Sequence, residues 1–518
     1  MLGAGQRRRV LDAALGRDVQ LNSQGFSETQ RHAGFLRIQL LANLLVWSAM
    51  PVRRILLESL VVLACVHFIG RSVGGAEEPV LNDSAQREIQ LTDHPGGHIL
   101  TNINVWSPDG RWIVYDTRSD PAGERFDGRT IEIVNVETRE VCEIYRSRRG
   151  AHCGVASFSP TSNQVAFIIG PENPTDDWAY SAWHRQGMIV DIERPEIARA
   201  IDARDVTPPF TPGALRGGTH VHVFSGDGAW ISFTYEDHVL ATLDAAGSRS
   251  HDFNQRNVGV SMPARRVIVA KNHPRNHDGE MFSVLVSRTV NAPRPGSDEI
   301  SRAFEDAWVG TQGYSRTDGR RQPRAIAFQG HVRTTSGETI SEVFIVDLLE
   351  DLIVPVDRPL EGTETIRPTP PRGVEQRRLT YTQGRKYPGL QGPRHWLRSS
   401  PDGARIAFLM RDDEGIVQIW TISPNGGEPQ QLTHNAFDVA SAFSWSPDGR
   451  SIAYVADNSV FVANTASGAA TRLTSRAEDA TAPRPEACVF SPDGKRIAYV
   501  RPVETNGRVY NQIFLVNL

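Results

Sequence analysis

Histidines are the residues of this 518-residue chain best suited to chemistry, and His220-Val221-His222 is the sharpest element. Residues two apart on a regular strand point to the same side. Both imidazoles are therefore expected to be able to share one ion, as neutral histidine does for zinc or manganese. Other chemistries lack their residues. GxSxG and HExxH are absent, and Gly494-Lys495 is followed by Arg496, so no P-loop is formed. Four cysteines (Cys65, Cys142, Cys153, Cys488) include no CxxC, which argues against a zinc ribbon or redox pair. Cys142 and Cys153 are expected as small apolar residues in strands. Asp and Glu are scattered, and spacing nominates no acid–base pair.

What must position the histidines is a repeat. Trp106-Ser-Pro-Asp-Gly-Arg-Trp-Ile-Val-Tyr115 returns, with variations, at Phe158, Phe224, Ser399, Trp445 and Phe490. In Pro-Asp-Gly, proline presets φ, aspartate bonds its own backbone and glycine accepts positive φ, so the string reads as a hairpin turn. Each copy continues through a third strand and a fourth ending in Leu-Thr: Arg377–Thr380, Gln431–Thr433 and Thr471–Thr474. Four-stranded units of about 45 residues are propeller blades.

Blade starts are expected near 98, 152, 218, 280, 394, 440 and 486. In the fourth, Met281–Val286 reads as the first strand and Ala325–Phe328 as the second, with a long insertion between them. There, Ser297-Asp-Glu-Ile300 to Trp308 reads as a short helix near 296–309 with a serine cap. The last blade lacks its fourth strand, and Ile89–Thr92 carries the missing Leu-Thr. The sequence thus predicts an all-β fold, a seven-bladed β-propeller of four-stranded antiparallel blades, closed by an N-terminal strand that removes two sheet edges.

In such a ring the connections between blades and the turns between second and third strands share one face, around the channel mouth. His94, His98, His152, His220, His222, His273, His277, His395 and His434 fall in the former, and His184 and His238 in the latter. Aligning blades on the aromatic before Ser-Pro puts His220 level with Asn102, His395 and Glu486. Arg216, Arg394 and Arg411 fall on the same rim and could grip carboxylates bidentately. Arginine outnumbers lysine by 53 to 3, however, so each one alone is a weak signal. The candidate ligand-binding set is His98, Asn102, His152, Arg216, His220, His277, Arg394, His395, Arg411 and Glu486; His220 and His222 are the candidate metal ligands, for manganese or zinc.

The Ser-Pro-Asp-Gly-x-x-Ile-Ala-Phe/Tyr repeat resembles the TolB-like propeller repeats of bacterial envelope proteins. Gly97–Trp106, Gly217–Phe224, Pro295–Ile300, Pro393–Trp396 and Phe408–Asp413 resemble the YidR-like family more closely. That resemblance covers roughly 86–518 and implies the fold, not an activity. Two functions remain open. One is a non-catalytic platform binding a protein or glycan at the mouth. The other is a metal-dependent lyase or hydrolase on an acidic oligosaccharide, similar in class to the oligogalacturonate lyases. Their pattern has a glutamine three residues before the HxH, where this chain has Gly217.

Formal net charge is −4, yet residues 1–75 carry nine Arg against four Asp/Glu, leaving −9 for the remainder. An acidic body argues against phosphate-neutralising nucleic-acid binding. Met50-Pro-Val-Arg-Arg54, an apolar run from Ile55 to Gly70, and a small-residue exit at Ala76 form the three parts of a secretory signal. The run is short and contains Glu58, while a spanning helix needs about 20 apolar residues. The domains expected are an extension 1–49, a signal or anchor 50–76 and one propeller 77–518, exported and monomeric, with a membrane anchor as the alternative.

Overall fold

The computed structural model describes residues 88–518, without 102, 121, 122, 394, 395 and 487; the leader-like segment and the extension before it lie outside the described residues. The repeated turn is closed by its own side chains. Ser107 Oγ donates to Asp109 Oδ1 at 2.6 Å, Arg111 N–H donates to the same oxygen at 3.0 Å, and Trp112 N–H donates to Ser107 Oγ at 2.9 Å. Gly110 supplies φ of +69°, which its place in the turn requires. Ser400–Asp402 and Ser446–Asp448 repeat this geometry.

Seven antiparallel four-stranded sheets result. Blade 1 comprises Gly97–Ile99, Trp112–Arg118, Thr130–Asn135 and Val141–Arg146; blade 2 comprises Cys153–Phe158, Gln164–Ile169, Gln186–Asp191 and Arg194–Ala200. Blade 3 takes Gly217–Phe224, Ile231–Asp237, Asn257–Met262 and Phe282–Leu285, and blade 4 Ile300–Trp308, Ala325–Arg333, Thr339–Asp347 and Gln376–Arg378. Blades 5 and 6 run Arg398–Ser399, Ile406–Arg411, Val417–Ile422, Gln430–Gln431 and Ser444–Trp445, Ser451–Ala456, Ser459–Asn464, Ala470–Arg472. Blade 7 has Cys488–Phe490, Arg496–Thr505 and Arg508–Asn517, completed by Glu88–Gln90. The closing register pairs Glu88 with Val516, Ile89 with Leu515 and Gln90 with Phe514. Apolar faces of adjacent blades supply the core, as with Tyr115, Phe158 and Phe167 between blades 1 and 2.

Inner strands are stitched around the ring. Trp106 and Trp445, each before Ser-Pro, and Trp308, before Val309-Gly310, donate their indole N–H to the preceding blade: Trp308 to Val223 O at 2.9 Å, Trp445 to Arg398 O at 3.1 Å, and Trp106 back to Val489 O of blade 7 at 3.2 Å. Leu-Thr has an equally local reason. Where the fourth strand leaves the sheet, the threonine hydroxyl accepts a backbone N–H of the third: Ile513 to Thr92, Val343 to Thr380, Ile419 to Thr433 and Val460 to Thr474, all at 2.9–3.0 Å. Thr433 Oγ1 also donates to Gln418 Oε1 at 2.9 Å, and both residues are buried. Thr433→Val, nearly isosteric, leaves the buried Ile419 N–H unpaired, while Gln418 Oε1 keeps the Asn435 N–H at 3.1 Å. We expect a loss of about 1–3 kcal/mol by urea denaturation, with no change in blade count.

Blade 4 departs from expectation. Phe282–Leu285 is the fourth strand of blade 3, and Ile300–Trp308, read from sequence as a helix, is the inner strand of blade 4. The cause is visible in the register. Bulges between Ile300 and Ala303 and between Phe304 and Ala307 insert extra residues. Buried Ile300, Ala303, Phe304 and Ala307 thereby take the spacing of a helix while lying on a strand. The one α-helix among the described residues is His238–Ala245, inside blade 3, capped by Asp237 Oδ1 accepting from Leu240 N–H at 3.0 Å. Cys142, Cys153 and Cys488 lie on strands as free thiols.

Candidate binding site at the channel mouth

The inner strands of blades 2, 3 and 4 each carry a bulge with a non-glycine residue in the left-handed region: Val155 at φ 61°, Val221 at 56° and Glu305 at 54°. Such conformations cost roughly 1–3 kcal/mol each and cluster at functional sites; for β-branched valine they are true outliers. Val155 and Val221 pack into one apolar cluster with Val223, Phe126, Trp308 and Trp396. Residues from five blades thus meet around the channel, and Val223 and Trp308 also line the cavity at the Ser-Pro turns.

The bulge at Val221 overturns the premise of the HxH reading. Thr219 Oγ1 donates to Asp202 Oδ1 at 3.1 Å, and His222 Nε2 lies 3.8 Å from the same oxygen. Residues three apart therefore share a side, and His220 does not accompany His222. His222 is fully buried beside Asp202 between blades 2 and 3. The close approach needs Gly187 in blade 2, where a Cβ would stand 2.3 Å from His222 Nε2 and 2.7 Å from Asp202 Oδ1. The residues present do not fit one ion on the His220–His222 pair.

His220 instead keeps part of its surface exposed at the mouth. Burial first, then the charges of Arg185 and Arg256, holds it well below the ordinary histidine range, with His222 and Arg118 adding to the effect. It is a neutral imidazole among guanidiniums. Two of these belong to a layered stack built by the loops of blades 1 and 2. Arg118 lies 4.9 Å over the Phe126 ring, Phe126 stacks on Tyr180 at 4.8 Å and 17°, and Arg185 lies 5.3 Å from the Tyr180 centroid. Arg118 pairs with Asp116 at 2.6 Å and Arg256 with Glu236 at 2.7 Å, while Arg185 Nε donates to Tyr180 Oη at 3.0 Å. Tyr180 remains exposed.

The other expected residues are dispersed. His98 is buried in blade 1, its Nδ1 2.8 Å from Asn511 O and its Nε2 3.0 Å from His94 Nε2. His152 Nδ1 lies 3.1 Å from Asp127 O, and His277 pairs through its backbone with Arg204 while its Nδ1 lies 3.2 Å from Asp278 O. Arg216 is not on the rim: it is fully buried against Asp237 at 2.6 Å. Arg411 donates to Gln391 Oε1 at 2.8 Å, and Glu486 is buried 3.8 Å from Arg484. Asn102, Arg394 and His395 lie outside the described residues. The contacts pair the histidines off, His94 with His98 and His184 Nε2 with His238 Nδ1 at 3.0 Å, where the sequence suggested a single ring.

Sequence reasoning missed the arginine–aromatic stack, because Phe126, Tyr180 and Arg185 sit in loops with no shared motif. It also missed the opposite mouth. There the Ser-Pro turns enclose a cavity of about 340 Å³ lined by Trp106, Trp445, Pro108, Asp306 and Arg398. Burial pushes the Asp306 carboxyl up to about 6.

Comparison with known proteins places this geometry among relatives. A family model described as protein of unknown function (DUF3748) matches residues 152–277, and one described as dipeptidyl peptidase IV N-terminal region matches residues 420–512. The uncharacterized protein YidR of Escherichia coli (strain K12) is 49% identical over 427 residues, 82% of this chain and 96% of that protein. Among solved structures, an oligogalacturonate lyase in complex with manganese aligns over 85% of this chain and 96% of its own, at 11% identity and TM-score 0.48. A putative TolB from Agrobacterium tumefaciens aligns over 75% and 99%, at 14% identity and TM-score 0.35.

Proposed function

The chain belongs to the YidR family of TolB-like seven-bladed propellers, and on that premise we propose that it is an envelope binding platform whose ligand is an acidic glycan held at the channel mouth. The observation that carries this reading is the Arg118–Phe126–Tyr180–Arg185 stack beside neutral His220. Arg118 is buried against Asp116, so the half-buried Arg185 is the guanidinium placed to match a ligand carboxylate in bidentate geometry. The exposed Tyr180 offers an apolar plate for a sugar face, and a neutral imidazole can exchange hydrogen bonds with hydroxyls. Of the two ligand classes, glycan and protein, this combination favours the glycan. The leader-like segment 50–76 supports export, with a single chain as the working unit. Among the described residues, no helix is long and apolar enough to cross a membrane.

The test is calorimetric titration with a uronic-acid oligosaccharide, a neutral maltooligosaccharide and an acidic peptide. We expect binding of the first, weakened at least about tenfold by Arg185→Ala and by raising salt. Equal affinity for the neutral sugar, or indifference to Arg185→Ala, contradicts the reading; preference for the peptide moves it to a protein partner. Ultraviolet detection of an unsaturated product would turn the platform into a lyase. A pH series adds a second check. An ordinary histidine gains charge as pH falls through about 6.5 and would tighten anion binding; His220, held neutral, should leave affinity flat between pH 8 and 6.

A further inference from the structure

A second set of ligand-type side chains stands where the ring closes, away from the arginine stack. His94 lies between the closing strand Glu88–Gln90 and blade 1, His98 on the inner strand of blade 1 and Glu132 on its third strand. His94 Nε2 is 3.0 Å from His98 Nε2 and 3.7 Å from Glu132 Oε2, and one donor atom from each residue lies within 4.8 Å of the others. Two ligand atoms bound at zinc distances in tetrahedral or octahedral geometry stand about 2.9–3.4 Å apart. A third donor this near completes a half-shell around a shared point.

The surroundings orient the donors. Asn511 O can only accept, so His98 Nδ1 carries the proton and its Nε2 lone pair faces His94. A ligating histidine is usually fixed in this way by a carbonyl on its other nitrogen. Glu132 is positioned by Tyr115 Oη donating to Oε2 and Thr130 Oγ1 donating to Oε1, both at 2.7 Å. The set is open on one side: the His94 side chain is 38% exposed, those of Glu132 and His98 13% and 0%.

We propose that His94, His98 and Glu132 bind one divalent transition-metal ion, zinc by their two-imidazole, one-carboxylate donor set, with the remaining position open to water. Its place makes it a staple. His94 belongs to the segment that enters from the closing strand, its carbonyl accepts from Gln512 Nε2 of blade 7 at 3.1 Å, and the other two ligands belong to blade 1. The ion would tie the closing segment to blade 1 alongside the third strand of blade 7. It shares no residue with the proposed glycan site, so either can fail alone.

The test uses the full chain purified without chelator. About one zinc per chain is expected by elemental analysis, or on titrating EDTA-stripped, dialysed protein with Zn²⁺, and Mn²⁺ taken up at the same residues would equally support the site. His94→Ala changes a partly exposed side chain, and Glu132→Gln keeps the shape of the site; each should cut zinc affinity at least about 100-fold. EDTA should lower the melting temperature of the parent, zinc should restore it, and both variants should be insensitive. Undiminished zinc in both variants, or neither metal bound by the parent at 100-fold excess, overturns the proposal.

Discussion

A chain beginning at residue 96 should aggregate or fail to fold, whereas one beginning at Glu77 should fold like the parent. The shorter form loses Glu88–Gln90 and with it the register to Phe514, Leu515 and Val516. It also loses the Leu91 N–H donated to Ile513 O at 2.8 Å and the Thr92 hydroxyl that accepts Ile513 N–H at 3.0 Å. Gln512, fully buried, loses the Thr92 donor at 2.7 Å. What remains is a ten-residue strand, Arg508–Asn517, with Ile-Phe-Leu-Val in its second half and one edge unpaired. Long apolar edges template pairing with other chains, and the ring seam opens at the same place. Size-exclusion chromatography of the two truncations checks this. A monomeric, cooperatively melting chain from residue 96 would show that closure is dispensable.

The second large effect is expected at Asp237. Its carboxylate accepts Arg216 Nη2 at 2.6 Å and Nε at 3.0 Å, the Tyr235 hydroxyl at 3.0 Å and, as a helix cap, Leu240 N–H at 3.0 Å. Arg216 is fully buried, with Phe210 4.8 Å from its guanidinium and Thr363 O accepting from it. Asp237→Ala strands that guanidinium, and removing one partner of a buried pair costs about 3–5 kcal/mol. The lost cap adds about 1 kcal/mol. Against a total stability of about 5–15 kcal/mol, the variant should be marginal at 37 °C. Urea denaturation measures the loss; a midpoint within error of the parent would contradict the account. Arg216→Ala should likewise act on stability, leaving acidic-glycan affinity within about twofold.

Blade number and closure were legible because local chemistry repeats. Ser-Pro-Asp-Gly forms its turn from its own side chains, and Leu-Thr at Thr92 does for blade 7 what Thr433 does for blade 5. Blade 4 was misplaced where the code is written in different letters. Val286-Ser287 follows the fourth strand of blade 3, and Ser287 Oγ accepts Val258 N–H at 2.8 Å, the role threonine plays elsewhere. Reading Val-Ser as a variant of Leu-Thr would have moved the boundary. The site was less legible, since its geometry rests on bulges. Val221 breaks the alternation that made His220 and His222 look like a pair, and nothing in the sequence marks a valine for positive φ. Arg118, Phe126, Tyr180 and Arg185 come together through two loops that only the fold brings side by side.

A crystal structure of the full chain soaked with a uronic-acid oligosaccharide tests the central claim most directly, because the two ends of the channel offer different chemistry. The account predicts density against Tyr180, with carboxylates within hydrogen-bond reach of Arg185 and hydroxyls facing His220. Density confined to the cavity of the Ser-Pro turns, beside Trp106, Asp306 and Arg398, would contradict it.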